Sequence, residues 1–457
     1  MIGQGAERDV RGADAARPSI CVLGLGYIGL PTASMFAVSG HAVVGVDPSP
    51  AVQEALSGGR AHIQEPDLDT LVSAALHSGR LRLATTPEPA DVFIIAVPTP
   101  FLPETRAADL RFVEQACADI VPHLRSGDLV VLESTVPPGT TRDLVAPLLE
   151  RSGLRAGRDV CVAHCPERVL PGRILQELVV NDRLAGGLTP PCAERAATVY
   201  ESFARGNVIR TDATTAEMAK VMENTYRDVN VALANEFALI ASRVGVDVWE
   251  AIGLANRHPR VNILRPGPGV GGHCVAVDPW FLVQAAPAEA QLIRTAREVN
   301  DGMPGHVLAR LARLAAPPAP ICLLGVTYKA NVDDVRESPA VRIAELAVDS
   351  GYRVRLCDPH VAPGVTGLPA PLLPLEQAVR DAAALVLLVD HTAFTHGLDL
   401  DLVAALVGRK QVLDTRGALD RSAWRQRGFS VAVLGTAATD QDAREPRPVA
   451  GWRSVGA

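Results

Sequence analysis

ICVLGLGYIGLPTASMFAVSGHAVVGVDPSP, residues 20–50, is the stretch whose reading decides the fold. An apolar, β-branched run leads into Gly24, Gly26 and Gly29, a G-x-G-x-x-G spacing; a helix-length segment follows, and a second apolar run ends at Asp47. Glycine has no Cβ, so the chain turns tightly there and a ligand's phosphates can come close to the backbone. Amides at the start of the next helix face an anion, and an acid closing the second strand accepts hydrogen bonds from ribose hydroxyls. Asp47 lies 18 residues beyond Gly29, as expected of a strand-turn-helix-strand unit that binds a dinucleotide. The bare glycine spacing says little; set between a strand and a helix, with the acid in place, it says much. A carboxylate at that point disfavours a 2′-phosphate, so the expected cofactor is NAD rather than NADP.

Working outward, DVFIIAVPTP (91–100), LVVLESTVPPGTT (129–141) and VCVAHCPE (160–167) are further strand-like runs. Each ends in a polar or Gly/Pro-rich loop, where a parallel sheet presents its ligand-facing edge. Thr99 and Thr135 stand in those loops, as dinucleotide contacts or as plain turn caps. Thr214 and Glu217 have the spacing of a capping box, and no Gly or Pro interrupts the chain from there to residue 244. A helix of about thirty residues, about 45 Å long, is expected, of a kind that commonly links two α/β units and forms an oligomer interface. Helical text continues over 284–315, and a Pro-Pro linker closes it. From residue 321 the opening pattern returns, ICLLGVTYKANVDDVRESPAVRIAELAVDSGYRVRLCDP, ending at Asp358 but without the three glycines. This second unit should bind another kind of nucleotide, or none. ALVLLVD (384–390) and QVLDTRG (411–417) add strands. The expected fold is α/β: two Rossmann-like doubly wound domains joined by a central long-helix segment. The boundaries expected are 1–18 disordered extension, 19–212 dinucleotide-binding domain, 213–316 central helical segment, 317–437 second Rossmann-like domain and 438–457 flexible tail.

A formal net charge of −7 on 457 residues gives no reason to expect nucleic acid or an anionic membrane surface as partner. The apolar runs, such as FIIAVP (93–98) and ALVLLV (384–389), are far too short to span a bilayer. The N-terminal residues have mixed charge and no apolar core, unlike a signal peptide. Of eight cysteines only Cys161 and Cys165 form a short pair, and no second pair completes a zinc site, so no metal is expected. The thiol usage fits a reducing, cytoplasmic setting. Among 44 basic residues just three are lysines, Lys220, Lys329 and Lys410. A chain so biased keeps lysine where a compact or titratable amine is needed.

The chemistry concentrates in GPGVGGHCVAVDPWF (267–281), where Cys274 follows a glycine-rich turn and Asp278 comes four residues later. A thiol on such a turn suits a covalent nucleophile; alone, it would read as a small buried thiol. Lys220 and Asn224 are four apart and share a helix face, either as solvent-facing residues or as a cradle for an alkoxide or tetrahedral oxyanion. Glu167, after Cys165-Pro166 at a strand end, is placed as a general base or water-positioning group, with Arg168 and Arg173 near it in sequence. His258, Arg260 and Arg265 make a basic stretch before the cysteine loop, suited to a diphosphate or carboxylate. Lys329 and Arg336 stand at the ligand-facing end of the second α/β unit. A simple alcohol dehydrogenase needs no thiol. A dinucleotide site plus an exposed cysteine points to a four-electron oxidation of an alcohol to an acid, with the aldehyde trapped on sulfur and the thioester hydrolysed by a glutamate-assisted water.

These motifs, in this order over residues 19–437, resemble the nucleotide-sugar 6-dehydrogenases of the UDP-glucose/GDP-mannose dehydrogenase family. PERVLPGR (166–173), RHPRVNI (257–263) and GGHCVAVDPWF (271–281) look like its UDP-N-acetyl-D-mannosamine branch. The resemblance implies NAD-dependent, two-step oxidation of the C6 hydroxyl of UDP-N-acetyl-D-mannosamine to the uronate, in the cytoplasm, by a homodimer or dimer-based oligomer serving polysaccharide biosynthesis. It implies Cys274 as nucleophile and Lys220 as proton donor or acceptor, with Asp278 supporting the cysteine loop or orienting the water. Tyr27, Ile28, Asp47, Thr99 and Thr135 would contact NAD, and Arg336 the NAD of a neighbouring subunit. Arg168, Val169, Lys220, Asn224, Arg227, Gly271, Lys329 and Arg416 would contact the UDP-sugar, with His258 and Arg260 reaching across a dimer interface. Pro171 stands where the UDP-glucose branch carries a second glutamate, which supports an N-acetylated hexosamine. The alternatives are the same chemistry on UDP-N-acetylglucosamine or UDP-glucose, a one-step NAD-dependent hydroxyacid dehydrogenase, and a non-catalytic NAD-binding protein.

Overall fold

In the computed structural model, which describes residues 17–437 apart from positions 64, 103 and 171, the run 20–23 is buried at every residue and forms β1 (Ile20–Leu23). With it lie β2 (Val43–Val46), β3 (Leu81–Ala84), β4 (Val92–Ile95), β5 (Leu129–Leu132), β6 (Cys161–His164), β7 (Arg183–Gly187) and β8 (Val208–Asp212) in one sheet, ordered β3-β2-β1-β4-β5-β6-β7-β8. Every pairing is parallel except β6 with β7. A parallel sheet covered on both faces needs unbroken apolar strands, and β1, β4 and β5 supply them. Alternate residues feed two cores: Ile20, Val22, Ile94 and Val131 pack on one face, and Cys21, Leu23, Phe93, Ile95 and Val130 on the other. Strand order reverses between β1 and β4, which opens a crevice at their carboxyl ends.

The second sheet contains β9 (Pro320–Leu324), β10 (Arg353–Cys357), β11 (Ala384–Leu387), β12 (Gln411–Asp414) and β13 (Ser430–Val433), ordered β10-β9-β11-β12-β13 and wholly parallel. It repeats the first sheet's device at the same place. Asp47 beyond β2 accepts the Leu25 amide at 3.0 Å, and Asp358 beyond β10 accepts the Val326 amide at 2.8 Å. In each, the carboxylate fixes the loop leaving the central strand.

The long helix runs over Ala213–Val244, 32 residues. Its start corrects the capping-box expectation. Asp212 caps it, accepting the Thr215 amide at 2.9 Å and the Thr215 hydroxyl at 2.5 Å, so Glu217 falls too far along to close a box with Thr214. Glu217 is instead fully buried and accepts the amides of Gly139 and Thr141 at 2.5 and 2.7 Å. Residues through Val221 and residues from Met222 form two compact units. Among the described residues no helix is long and apolar enough to cross a membrane. The expected tail, Pro171 and nearly all of the expected N-terminal extension lie outside the described residues.

Candidate active site

In the unit ending at Val221, the glycines of the first turn separate by what surrounds them. Gly24 has φ +89°, and a Cβ there would lie 2.6 Å from the Ala96 carbonyl oxygen. At Gly29 it would lie 1.8 Å from the Gly24 oxygen. At Gly26 it would meet nothing within 4 Å. Two of the glycines thus answer to protein packing, and Gly26 leaves an open cradle of the kind a pyrophosphate fills. The helix Gly29–Val38 starts beside this cradle with no side-chain cap, and the positive end of its dipole favours an anion there. Tyr27 packs partly buried against the core, and Ile28 is the half-buried residue before the helix. Asp47 gives its second oxygen to the Ser49 amide. The Thr99 hydroxyl donates to the Thr135 carbonyl at 2.7 Å, joining the loops beyond β4 and β5 beside the same crevice. Cradle, uncapped helix and terminal acid fit NAD, whose chemistry is to accept a hydride.

Glu167, also in this unit, is buried rather than a surface acid. Its Oε1 accepts the Arg168 amide and its Oε2 the Arg183 guanidinium, both at 2.6 Å. The Arg168 side chain donates to the Asp182 carbonyl, and Val169 packs against the core. Lys220 is 9% exposed, so the solvent-facing alternative fails; its Nζ has no hydrogen-bond partner among the described residues. It acts electrostatically on His164, whose ring is fully buried and held neutral by burial, pushed down to about 3.

In the unit starting at Met222, Cys274 is half-exposed, in no disulfide, on the turn that precedes the helix Asp278–Ala285. Its carbonyl accepts the amides of Val277 and Asp278. Asn224, one helical turn beyond Lys220, is buried and donates to the Asp278 carboxylate at 2.6 Å. Further along the same helix, Asn235 accepts the Gly267 amide at 2.8 Å and donates to Asn300; Asp228 binds Arg297 and Asn300 at 2.6 and 2.8 Å. The long helix therefore grips the cysteine segment at both ends. Between those grips the segment runs against the ligand-facing edge of the second sheet. A Cβ on Gly271 would sit 2.4 Å from Pro339, one on Gly272 2.9 Å from the Tyr328 ring, and one on Gly267 2.4 Å from Arg416.

Arg416 is half-buried and pairs with Asp390 at 3.1 Å; Lys329 is half-buried in the loop beyond β9. Cys274, Asp278, Asn224, Gly271, Lys329 and Arg416 thus belong to one structural neighbourhood or its supports. Arg336 is exposed and forked onto Asp334. Arg227 is exposed on the long helix, and His258 and Arg260 are exposed and interact with each other. Sequence reasoning missed Glu133, Arg183, Asp228 and Arg297. The available signal for Asp228 was its place with Asn224 and Asn235 on one helical face, and for Glu133 an acid closing the apolar run LVVL.

Three consecutive segments match the UDP-glucose/GDP-mannose dehydrogenase family: its NAD binding domain over residues 18–204, its central domain over 214–302 and its UDP binding domain over 322–421. The chain belongs to this family. It is 48% identical over 421 residues to the UDP-N-acetyl-D-mannosamine dehydrogenase of Methanocaldococcus jannaschii, covering 91% of this chain and 96% of that one. It is 52% identical over 411 residues to the NDP-N-acetyl-D-galactosaminuronic acid dehydrogenase of Ralstonia solanacearum, covering 87% and 96%. The solved structure of a UDP-D-ManNAc dehydrogenase from Pyrococcus horikoshii superposes with a TM-score of 0.83 at 42% identity, covering 91% of this chain and 99% of that one. The family membership makes the chain an NAD-dependent nucleotide-sugar dehydrogenase. It sets aside the one-step hydroxyacid dehydrogenase and the non-catalytic NAD-binding protein, since the match extends through a UDP binding domain.

Proposed function

We propose that the chain oxidises the C6 hydroxyl of UDP-N-acetyl-D-mannosamine to the carboxylate, through a thiohemiacetal and a thioester on Cys274. The observation that carries this is the half-exposed Cys274 on a turn whose segment is gripped at both ends by the long helix. NAD supplies the hydride acceptor for each oxidation. Lys220, whose buried Nζ has no hydrogen-bond partner among the described residues, takes and returns the proton of the C6 oxygen. Cys274 Sγ adds to the aldehyde carbon, so the half-oxidised sugar stays on the enzyme. Asn224 Nδ2 has a second hydrogen beyond the one held by Asp278, and with Lys220 it steadies the oxyanion. Glu167 accepts the proton of the water that hydrolyses the thioester. Arg168, Val169, Arg227, Gly271, Lys329 and Arg416 contact the UDP-sugar.

The relatives' names share an N-acetylated amino sugar, and this supports a UDP-N-acetylhexosamine over UDP-glucose. The 52% identity to the Ralstonia enzyme favours the galactosamine series as the second reading. The working form is proposed to be a homodimer. Met218, Met222, Tyr226, Leu233, Phe237, Ile240 and Val244 stand exposed along the long helix, Tyr226 at 69%, at helical spacings that make an apolar stripe suited to a second copy. The deciding assay counts NADH per sugar consumed with UDP-N-acetylmannosamine, UDP-N-acetylgalactosamine, UDP-N-acetylglucosamine and UDP-glucose. About two NADH with the mannosamine derivative is expected, and little with glucose. One NADH per sugar, or preference for UDP-glucose, would remove the proposal.

A further inference from the structure

Glu133 follows β5, and its side chain is 1% exposed. Its Oε1 accepts Arg183 Nη1 at 3.3 Å and the Tyr200 hydroxyl at 3.2 Å, while Oε2 has no hydrogen-bond partner among the described residues. The other arm of Arg183, Nη2, donates to Glu167 Oε2 at 2.6 Å. The guanidinium lies 4.6 Å from the centre of the Tyr200 ring and 5.7 Å from that of Phe203. One buried cation thus serves two buried carboxyls. If both ionise, one negative charge stays uncompensated in a water-poor interior, which is costly. A single proton removes it. Glu133 takes that proton because it is the deeper acid, has the longer contact with Arg183, and keeps an oxygen free to carry it. Burial pushes its carboxyl up to about 7, against the pull of Arg183. The groups facing it are Arg183 from β7, Glu167 from beyond β6, Tyr200 from the helix Pro190–Tyr200, Thr32 from the helix Gly29–Val38, and Cys165 after β6. Burial keeps the Tyr200 hydroxyl and the Cys165 thiol protonated, which leaves two carboxyls and one guanidinium to share the charge.

We propose that Glu133 is a positioning residue that sets how Glu167 is held, through their shared guanidinium. When Glu133 is protonated, Arg183 is held by Glu167 alone and fixes its carboxylate in place. When Glu133 ionises, it draws part of that cation to itself and frees Glu167 to turn toward the attacking water. The inference rests on the reading of Glu167 as the proton acceptor in thioester hydrolysis. In that step water oxygen bonds to the thioester carbon, Glu167 takes the water proton, the carbon–sulfur bond breaks, and Cys274 leaves as thiolate with no change of oxidation level.

The test uses the full-length enzyme in single turnover, with NADH followed by absorbance and free uronate by quenched mass spectrometry. Uronate release should therefore rise severalfold from pH 6 to pH 8 in the parent enzyme, with a midpoint near 7. Glu133→Gln keeps an acceptor for Arg183 but cannot titrate, so its release rate should stay flat at the lower value with the sugar KM unchanged. Retention of the full rise in Glu133→Gln overturns the proposal. A parent profile without a rise through pH 7 also overturns it, and that measurement needs no variant to fold. Glu167→Gln separates the two readings: normal uronate release there removes the base reading itself. Slow release in Glu167→Gln with an unaltered Glu133→Gln profile removes only the coupling. The melting temperature gives an independent readout. A carboxyl raised from 4.5 to about 7 contributes stability that is lost as pH rises across that window, and Glu133→Gln should lack this share of the slope.

Discussion

Gly26 and Gly29 lie three residues apart and answer to different neighbours, which makes them separable by substitution. Gly29→Ala forces a methyl to 1.8 Å from the Gly24 oxygen, so the turn or the helix must move. Overpacking of this kind costs about 1–3 kcal/mol or more, and a lowered melting temperature in the absence of NAD is the expected result. Gly26→Ala meets nothing in the protein, and its melting temperature should match the parent's. Its methyl occupies the space assigned to the pyrophosphate, so titration calorimetry should show NAD binding weakened about tenfold or more, which is about 1.4 kcal/mol. Equal NAD affinity in Gly26→Ala would mean that the cofactor's phosphates lie elsewhere. Cys274 supports a sharper outcome. Cys274→Ser removes the sulfur that holds the aldehyde, so the NADH yield should fall from about two per sugar to one or less, and uronate should vanish. A serine variant that makes uronate at the parent rate would rule out the thioester.

At the scale of elements, the long helix shows what spacing alone can and cannot reveal. Its length was legible because no Gly or Pro interrupts 214–244, but its start was misassigned. Asp212 and Glu217 are both acids near a helix N-terminus, and only tertiary contact shows that Glu217 reaches the Gly139 and Thr141 amides instead of its own first turn. The inward polar face of Asn224, Asp228 and Asn235 was half legible. Asn224 stood out beside Lys220, while Asp228 declares itself through Arg297, 69 residues away in sequence. The outward face carries the dimer prediction. Tyr226 and Phe237 are exposed, so Tyr226→Asp with Phe237→Asp should leave the fold intact and put two charges into the apolar stripe. Light scattering should then find a monomer where a dimer is expected of the parent. A dimer that persists would move the interface off this helix.

Across the whole molecule, the two sheets were legible because each strand is a short apolar run ending in a turn, a pattern that burial on both faces requires. The candidate site stands out in the sequence where the proposed chemistry demands rare residues, at Cys274, Lys220 and the glycine turn. The buried ionic contacts were not, because a Glu or Arg carries no mark of the partner that folding will give it. Neutral buried histidines are equally silent in sequence, and they bear on acid stability. Burial drives His164 down to about 3 and His306, in the helix Gln291–Leu314, down to about 4. In the unfolded chain each takes up a proton below about 6.5, so between about 4 and 6.5 the unfolded state binds protons that the folded state refuses. Stability contributed by these histidines is therefore lost as pH falls through that window. Glu133 and Asp228, raised by burial, act in the opposite direction, so the parent curve mixes both effects. The difference between a variant and its parent isolates one. His306→Gln should lose less stability than the parent between pH 6.5 and pH 4, by on the order of 2–3 kcal/mol at the acid end, as read from chemical denaturation at each pH. Parallel curves for the two proteins would mean that His306 is protonated in the fold and that its surroundings admit charge.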